Sequence, residues 1–188
     1  MKRVGIFGGT FNPPHIGHCI VANEVLHALQ LDEVRFMPNA MPPHKAMDHH
    51  VTDAQRLKMV QLAIGDTPKL AVETHELEKG GISYSYETMH YLTNKEPNTK
   101  FYFIIGGDSI DTLHSWKEID QLTKLVTFVG VNRPGYKGYA QYPVEMVRTP
   151  EVALSSSTVR ARVRNGETIQ YLLPKAVEQF IREERLYE

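Results

Sequence analysis

Residues 3–18 read Arg-Val-Gly-Ile-Phe-Gly-Gly-Thr-Phe-Asn-Pro-Pro-His-Ile-Gly-His, and no other stretch restricts the fold as tightly. Val4, Ile6 and Phe7 form a short apolar run that reads as a buried first strand. Gly8 and Gly9 then predict a turn that brings the backbone close to a ligand, because glycine has no Cβ to clash there. Pro13 and Pro14 stiffen the return. A helical pattern follows, with Val21, Val25, Ala28 and Leu29 on one face at i, i+4, i+7 and i+8. A strand, a glycine turn and a helix pointing its amino end back at the turn make a place for a phosphate. Free N–H groups and the positive end of the helix dipole meet there. His15 and His18, three residues apart at the helix start, can both face one anion, and Gly17 between them keeps the surface open.

Neither the G-x-G-x-x-G fingerprint nor the G-x-x-x-x-G-K-S/T loop is present. Two plainer readings of the histidines compete. A zinc pair would need a cysteine or carboxylate to complete it, and none nearby completes such a site. Ordinary surface histidines would not need the surrounding string. Cys19, directly after His18, reads as a small buried residue and not as a nucleophile, given its apolar neighbours Ile20 and Val21.

A chain of 188 residues is long enough for one full core, and residues 1–188 read as one domain with a helical carboxyl-terminal part at about 155–188. A formal net charge of −1 argues against nucleic-acid wrapping and against attraction to an anionic membrane. No run approaches the roughly 18 apolar residues of a membrane span. Met1-Lys2-Arg3 leads straight into a strand, without a signal-peptide core. The single cysteine excludes an internal disulfide and fits a reducing cytoplasm.

Further along, Val34–Met37 reads as a second strand, followed by the loop Asn39-Ala-Met-Pro-Pro-His-Lys45. This repeats the Pro-Pro-His theme, so two such loops are expected at the carboxyl edge of a parallel sheet, where these folds bind ligands. His44 and Lys45 would supply donors and positive charge for a phosphate; His49 and His50 read as surface. Thr52 and Gln55 fit a capping box ahead of a helix with Leu57, Val60 and Ile64 on one face, stopping near Gly65. A third strand is expected at Leu70–Glu73, and a helix from Ser83–Glu87 with Tyr84, Thr88 and Tyr91 close to one face.

Phe101–Ile105 is an apolar run suited to a central strand buried on both faces. Gly106-Gly107-Asp108 follows at once; Asp108 can accept from a ribose hydroxyl or an adenine amine, or cap the short helix behind it. Trp116, the only tryptophan, offers a stacking face for a base or pyridine ring, helix packing being the competing role. Val126–Val131 is the next strand, ending at Asn132-Arg133-Pro134-Gly135, and Val144–Arg148 a short one. Ser155-Ser156-Ser157 opens a helix closing near Gly166, in which Arg160, one turn in, makes a second anion pocket. Pro174 suits the first turn of a last helix with Val177, Phe180 and Ile181 on one face. Strands alternating with helices predict an α/β fold: a Rossmann-like, doubly wound parallel sheet with one ligand cleft.

The string Gly8-Gly9-Thr10-Phe11-Asn12-Pro13-Pro14-His15-Ile16-Gly17-His18 resembles the phosphate motif of the HxGH nucleotidyltransferases. The resemblance covers essentially the whole chain. Pro-Asn-x-x-Pro-Pro-His-Lys, Ser-Tyr-Ser-Tyr-Glu-Thr, Ile-Ile-Gly-Gly-Asp, Arg-Pro-Gly and Ser-Ser-Ser-x-x-Arg follow in the order found in bacterial nicotinate-nucleotide adenylyltransferases. The activity this implies is transfer of AMP from ATP to nicotinate mononucleotide, giving deamido-NAD and pyrophosphate in NAD biosynthesis, without a covalent enzyme intermediate. By the same resemblance His15, His18, Lys45 and Arg160 carry the catalysis, with Mg²⁺ held mainly by the substrate phosphates. Gly8, Gly9, Thr10 and Phe11 offer backbone contacts, and Asn39 and His44 line the cleft. Gly106, Asp108 and Arg133 meet the adenosine, Ser156 and Ser157 the phosphates, and Ser85 and Trp116 the nicotinate. A monomer or homodimer is expected. Asn12 stands where many members have Asp, Ser85 where relatives often have Thr, and Lys117 where some have Tyr. Phosphopantetheine adenylyltransferases are the runner-up, but carry Thr for the first His of the motif; a catalytically silent nucleotide sensor would be expected to lack one of His15, His18 or Arg160.

Overall fold

The apolar runs of the sequence become strands β1 (Lys2–Gly9), β2 (Glu33–Pro38), β3 (Leu70–Val72), β4 (Thr99–Gly106), β5 (Val126–Val131) and β6 (Val144–Val147). The computed structural model describes residues 1–42, 50–131 and 141–188. The strands form one sheet in the order β3-β2-β1-β4-β5-β6, every neighbouring pair parallel. This order reverses between β1 and β4, and in such sheets the cleft opens there, outside the carboxyl ends of the strands. The doubly wound expectation is met.

Eight α-helices, among the described residues, cover the sheet: α1 (Ile16–Ala28), α2 (Asp53–Ile64), α3 (His75–Lys79), α4 (Ser85–Lys95), α5 (Gly107–Asp111), α6 (Ile119–Leu125), α7 (Ser156–Arg164) and α8 (Lys175–Glu183). The pleat divides each inner strand between two cores. Phe7, Phe36, Tyr102, Ile104 and Val129 meet α1 and α2 through Val25, Leu26, Val60 and Ile64. Val4, Ile6, Phe101, Phe103 and Phe128 meet Met89 and Leu92 of α4, Ile110 of α5 and Leu122 of α6. A third cluster lies off the sheet, where Met59 of α2 packs with Val159, Val177, Ile181 and Tyr187. It seats the carboxyl-terminal helices on the outer side of α2.

Arg35 is the one arginine among the described residues of the strands besides Arg3, and three carboxylates answer its charge. Its guanidinium holds Glu96 with two bonds of 2.6 and 2.8 Å, and also reaches Glu33 and Glu73. The Arg35 bond depresses the Glu96 carboxyl. The pair fastens the end of α4 to β2.

Some local expectations change. Gly8 and Gly9 do not turn but extend β1, paired with Met37 and Pro38. The reversal comes at Phe11, whose φ of 48° is left-handed. That conformation costs a side-chain-bearing residue about 1–2 kcal/mol, but the Phe11 ring is only 2 % exposed, and burying it returns roughly 1.5–3 kcal/mol. Burial wins. Gly9 makes the arrangement possible, since a Cβ there would lie 3.0 to 3.2 Å from three atoms of the Phe11 ring. On α1 the buried stripe is Ala22, Val25 and Leu26, with Ala28 exposed. On α4 it is Thr88, Met89 and Leu92; Tyr91 lies outside, stacked on His75 at 3.8 Å. The Thr52–Gln55 capping box forms as expected, with reciprocal bonds of 3.0 and 3.2 Å.

Close packing of α5 on β5 depends on a second glycine. A Cβ at Gly130 would sit 2.5 Å from the Met146 sulfur, 2.7 Å from Ile110 and 2.8 Å from Val144. Gly130→Ala is therefore expected to lose about 1–3 kcal/mol of stability by overpacking, read as a lowered midpoint in urea unfolding.

Candidate active site at the carboxyl edge of the sheet

The loop from Thr10 to His15 has little internal hydrogen bonding, and the rest of the chain holds it. Tyr187 Oη donates to Asn12 Oδ1 at 2.5 Å in the interior. Arg160 donates to the Asn12 carbonyl at 2.8 Å, and Ser156 Oγ to the Pro13 carbonyl at 2.8 Å. The Leu172 carbonyl accepts from the Ile16 N–H at 3.0 Å. Four contacts from residues 156–187 thus grip Asn12, Pro13 and Ile16 at the amino end. They also bring Ser156 and Arg160, with Ser157 beside it, against the residues that lead into His15.

His15 caps α1 and is 7 % exposed, while His18 is partly exposed. Their rings stack, centroids 3.7 Å apart. The His15 N–H donates to His18 Nδ1 at 3.0 Å. Since a backbone amide only donates, that nitrogen holds a lone pair, and Nε2 bears the proton in the neutral ring. Phe11 meets the His18 ring edge-on at 5.1 Å and limits its rotation.

The helix dipole is only partly available to a ligand. The Ile16 N–H is taken by Leu172 and that of His18 by the His15 carbonyl. Among the described residues, nothing accepts from the N–H groups of Thr10, Phe11 or Gly17. The open donors therefore belong chiefly to the loop.

A residue that sequence reasoning missed ties this loop to the next. Arg56 on α2 is fully buried. It donates to the Thr10 carbonyl at 2.8 Å, the Asn39 carbonyl at 2.6 Å and Asp53 Oδ1 at 2.7 Å. Read as helix periodicity, an arginine beside Leu57 and Val60 looks like solvent-facing charge. The Asn39 N–H donates in turn to the Gly9 carbonyl at 3.0 Å, and Asn39 Oδ1 is a buried acceptor without a partner among the described residues. His44, Lys45 and Arg133 lie outside the described residues.

On the opposite face, Trp116 sets its ring edge-on against Phe103 and Phe128, at 5.9 and 6.1 Å, and stays partly exposed. Ser85 is the first residue of α4. Lys117 joins the two, its ammonium 4.1 Å from the Tyr84 ring centroid and 2.7 Å from Glu87. Lys117 and, after it, Lys79 hold the Glu87 carboxyl down at about 2. Gly106 ends β4 with open space where a Cβ would point. Gly106, and not Asp108, is the cap of α5; Asp108 sits exposed in its first turn.

Burial opposes ionisation at two further acids, one half-buried and one buried. Burial pushes the Cys19 thiol up to about 11, so it is a packing group and not a nucleophile at neutral pH. Burial also raises the Glu76 carboxyl, against hydrogen bonds from Thr88 and Ser83. Ser83 Oγ accepts from the Ala40 N–H at 3.0 Å, so the start of α4 is linked to the loop after β2.

Comparisons with known proteins bear on the family and the fold. The cytidylyltransferase-like family model matches residues 6–162. A probable nicotinate-nucleotide adenylyltransferase of Lactiplantibacillus plantarum is 52 % identical over 100 % of this chain and 89 % of its own. One from Bacillus cytotoxicus is 51 % identical over the full length of both. Among solved structures, nicotinic acid mononucleotide adenylyltransferase of Plasmodium falciparum complexed with NaAD superposes with a TM-score of 0.83. It covers 100 % of this chain and 98 % of that one at 20 % identity, so this match speaks for the fold.

Two outcomes follow from the polar grips. Tyr187→Phe leaves the buried Asn12 oxygen unsatisfied and should cost about 1–3 kcal/mol in chemical denaturation. Glu76 is raised in the folded state, so its protonated form favours folding at low pH, and that gain is lost as pH rises through the folded pKa. Glu76→Gln, which keeps an acceptor for Thr88, should melt higher than the parent at pH 8. The advantage should vanish below about pH 4, where the unfolded carboxyl is protonated too.

Proposed function

This chain belongs to the cytidylyltransferase-like family and, within it, to the nicotinate-nucleotide adenylyltransferases, and from that premise we infer how its cleft transfers AMP from ATP to nicotinate mononucleotide. The products are deamido-NAD and pyrophosphate, a step of NAD biosynthesis. The observation that carries the reading is the convergence of the His15–His18 pair, Arg160 and the open N–H groups of Thr10 and Phe11 on one loop.

The phosphate of the mononucleotide is ionised near neutral pH and needs no strong base. One of its oxygens forms a bond to the α-phosphorus of ATP while the bond to the α–β bridging oxygen breaks, and pyrophosphate leaves with that electron pair. The protein's task is then to hold the partners in line and to stabilise charge on the transferring group. His18, with Nδ1 occupied by the His15 N–H, directs Nε2 as a donor. Arg160, braced on Asn12 and near Ser157 at 3.4 Å, supplies fixed positive charge toward the leaving phosphates. Lys45 and His44 complete the cationic side, and Gly8, Gly9, Thr10 and Phe11 line the phosphates with backbone.

Gly106, Asp108 and Arg133 take the adenosine, with Asn39 in the cleft and Ser156 and Ser157 at the phosphates. Ser85, at the start of an eleven-residue helix, offers its N–H to the nicotinate carboxylate, and the exposed face of Trp116 stacks on the pyridine. Among the described residues no three of His, Cys, Asp and Glu gather as a metal cage. The donors that do gather are N–H, hydroxyl and guanidinium groups, which suit an Mg²⁺ arriving on ATP and held mainly by phosphate oxygens. When bound, the ion neutralises phosphate charge. Among the described residues no helix is long and apolar enough to cross a membrane; we place the reaction in the cytoplasm, carried out by a monomer or homodimer.

The decisive assay is pyrophosphate release with ATP and Mg²⁺, with nicotinate mononucleotide, nicotinamide mononucleotide and phosphopantetheine run in parallel. Strong preference for the first is expected. Preference for another acceptor would overturn the substrate assignment, and ATP binding without release would point to a sensor. In the same assay His18→Ala should retain a native melt but turn over about 10²-fold more slowly; near-parental turnover would refute its role.

A further inference from the structure

We propose that Arg56 is a positioning residue that sets the open amides of the loop after β1 and couples them to the loop after β2 and to the start of α4. The proposal rests on the functional reading above and adds a residue outside the motif strings.

The geometry has three parts. Arg56 is fully buried, whereas the side chain of its only carboxylate partner among the described residues, Asp53, is 53 % exposed. A guanidinium kept in the interior for charge pairing alone would be poorly placed, since desolvation opposes it. What occupies it instead are two carbonyls, Thr10 at 2.8 Å and Asn39 at 2.6 Å, on the two loops that follow adjacent parallel strands. Among the described residues its Nε finds no acceptor, so the two terminal nitrogens do all of the bonding seen there.

Each carbonyl is half of a peptide unit. The Thr10–Phe11 and Asn39–Ala40 bonds are trans, the cis bond of the described residues being Asn12–Pro13, and in a trans unit the C=O and N–H point in opposite directions. Turning the Thr10 carbonyl toward Arg56 therefore turns the Phe11 N–H away from α2, where nothing in the described protein accepts from it. A cationic donor on the carbonyl also strengthens the N–H of the same unit as a donor. In the second unit the Ala40 N–H donates to Ser83 Oγ at 3.0 Å, and the Ser83 N–H to the Met41 carbonyl at 2.8 Å. Ser83 stands two residues before Ser85. One side chain thus fixes both the phosphate loop and the segment leading to the nicotinate end.

The test compares Arg56→Met, Arg56→Lys and, as a control for stability alone, Leu31→Ala, which opens a cavity in the first core just before β2, at the amino edge of the sheet and away from these loops. Turnover and KM are measured with ATP, Mg²⁺ and nicotinate mononucleotide well below each melting point, together with amide hydrogen exchange at residues 9–12 and 39–42. Arg56→Met should lower kcat about 10²-fold and Arg56→Lys, which reaches one carbonyl at a time, about 10-fold. Exchange should rise in both loops together, while Leu31→Ala melts lower with kcat unchanged. If Arg56→Met does not fold, Arg56→Lys decides. Unchanged kcat in a folded Arg56 variant, a loss no greater than in Leu31→Ala, or faster exchange in one loop only would each overturn the proposal. Lack of turnover by the parent protein would instead defeat the functional reading, and the exchange measurement would still decide the coupling.

Discussion

A loop with few hydrogen bonds of its own can position ligands only if something outside it supplies the rigidity, and here the supply is polar. Asn12 is the fulcrum. Its side-chain oxygen is held by Tyr187 and its carbonyl by Arg160, while Ser156 and Leu172 take Pro13 and Ile16 after it. Buried hydrogen bonds of this kind add modestly to net stability, but each is costly to leave unmade. The loop therefore has one satisfied arrangement and few alternatives. Arg160 is central because it serves the loop and, by our reading, the ligand with a single guanidinium.

The carboxyl-terminal helices act through this grip. They add no strand to the sheet; they pack on the outer side of α2 through Met59, Val159, Val177 and Ile181. That apolar seat places α7 against Pro13 and Asn12. Hydrophobic burial, which is non-directional, brings the elements together, and the short polar contacts then set their register. On the other side of the sheet the same division appears, with Trp116 anchored by Phe103 and Phe128 while Lys117, next in the chain, reaches the Tyr84 ring and Glu87.

The fold was legible because strand signals in a doubly wound sheet are strong and local. Phe101–Ile105 and Val126–Val131 are apolar but for Thr127, as suits strands covered on both faces, and they fall where the pattern put them. Helix faces were less legible. Which stripe of α1 or α4 is buried depends on the angle at which the helix meets the sheet, and neither Ala28 nor Tyr91 carries that information. The turn after β1 was misplaced for a different reason: two glycines usually signal a reversal, but here Gly9 makes room for the Phe11 ring.

What the sequence by itself determined is the chemistry at hand: a histidine pair at a helix start, serines and an arginine opening a later helix, and glycines closing the apolar strands. Those signals are short-range, so a string of residues carries them whole. The tertiary structure alone decided which of them share a site and what holds them there. Arg56 meets Thr10 and Asn39 across 46 and 17 residues, and Tyr187 meets Asn12 across 175. Contacts at such separations exist only once the sheet has brought the ends of its strands to one edge.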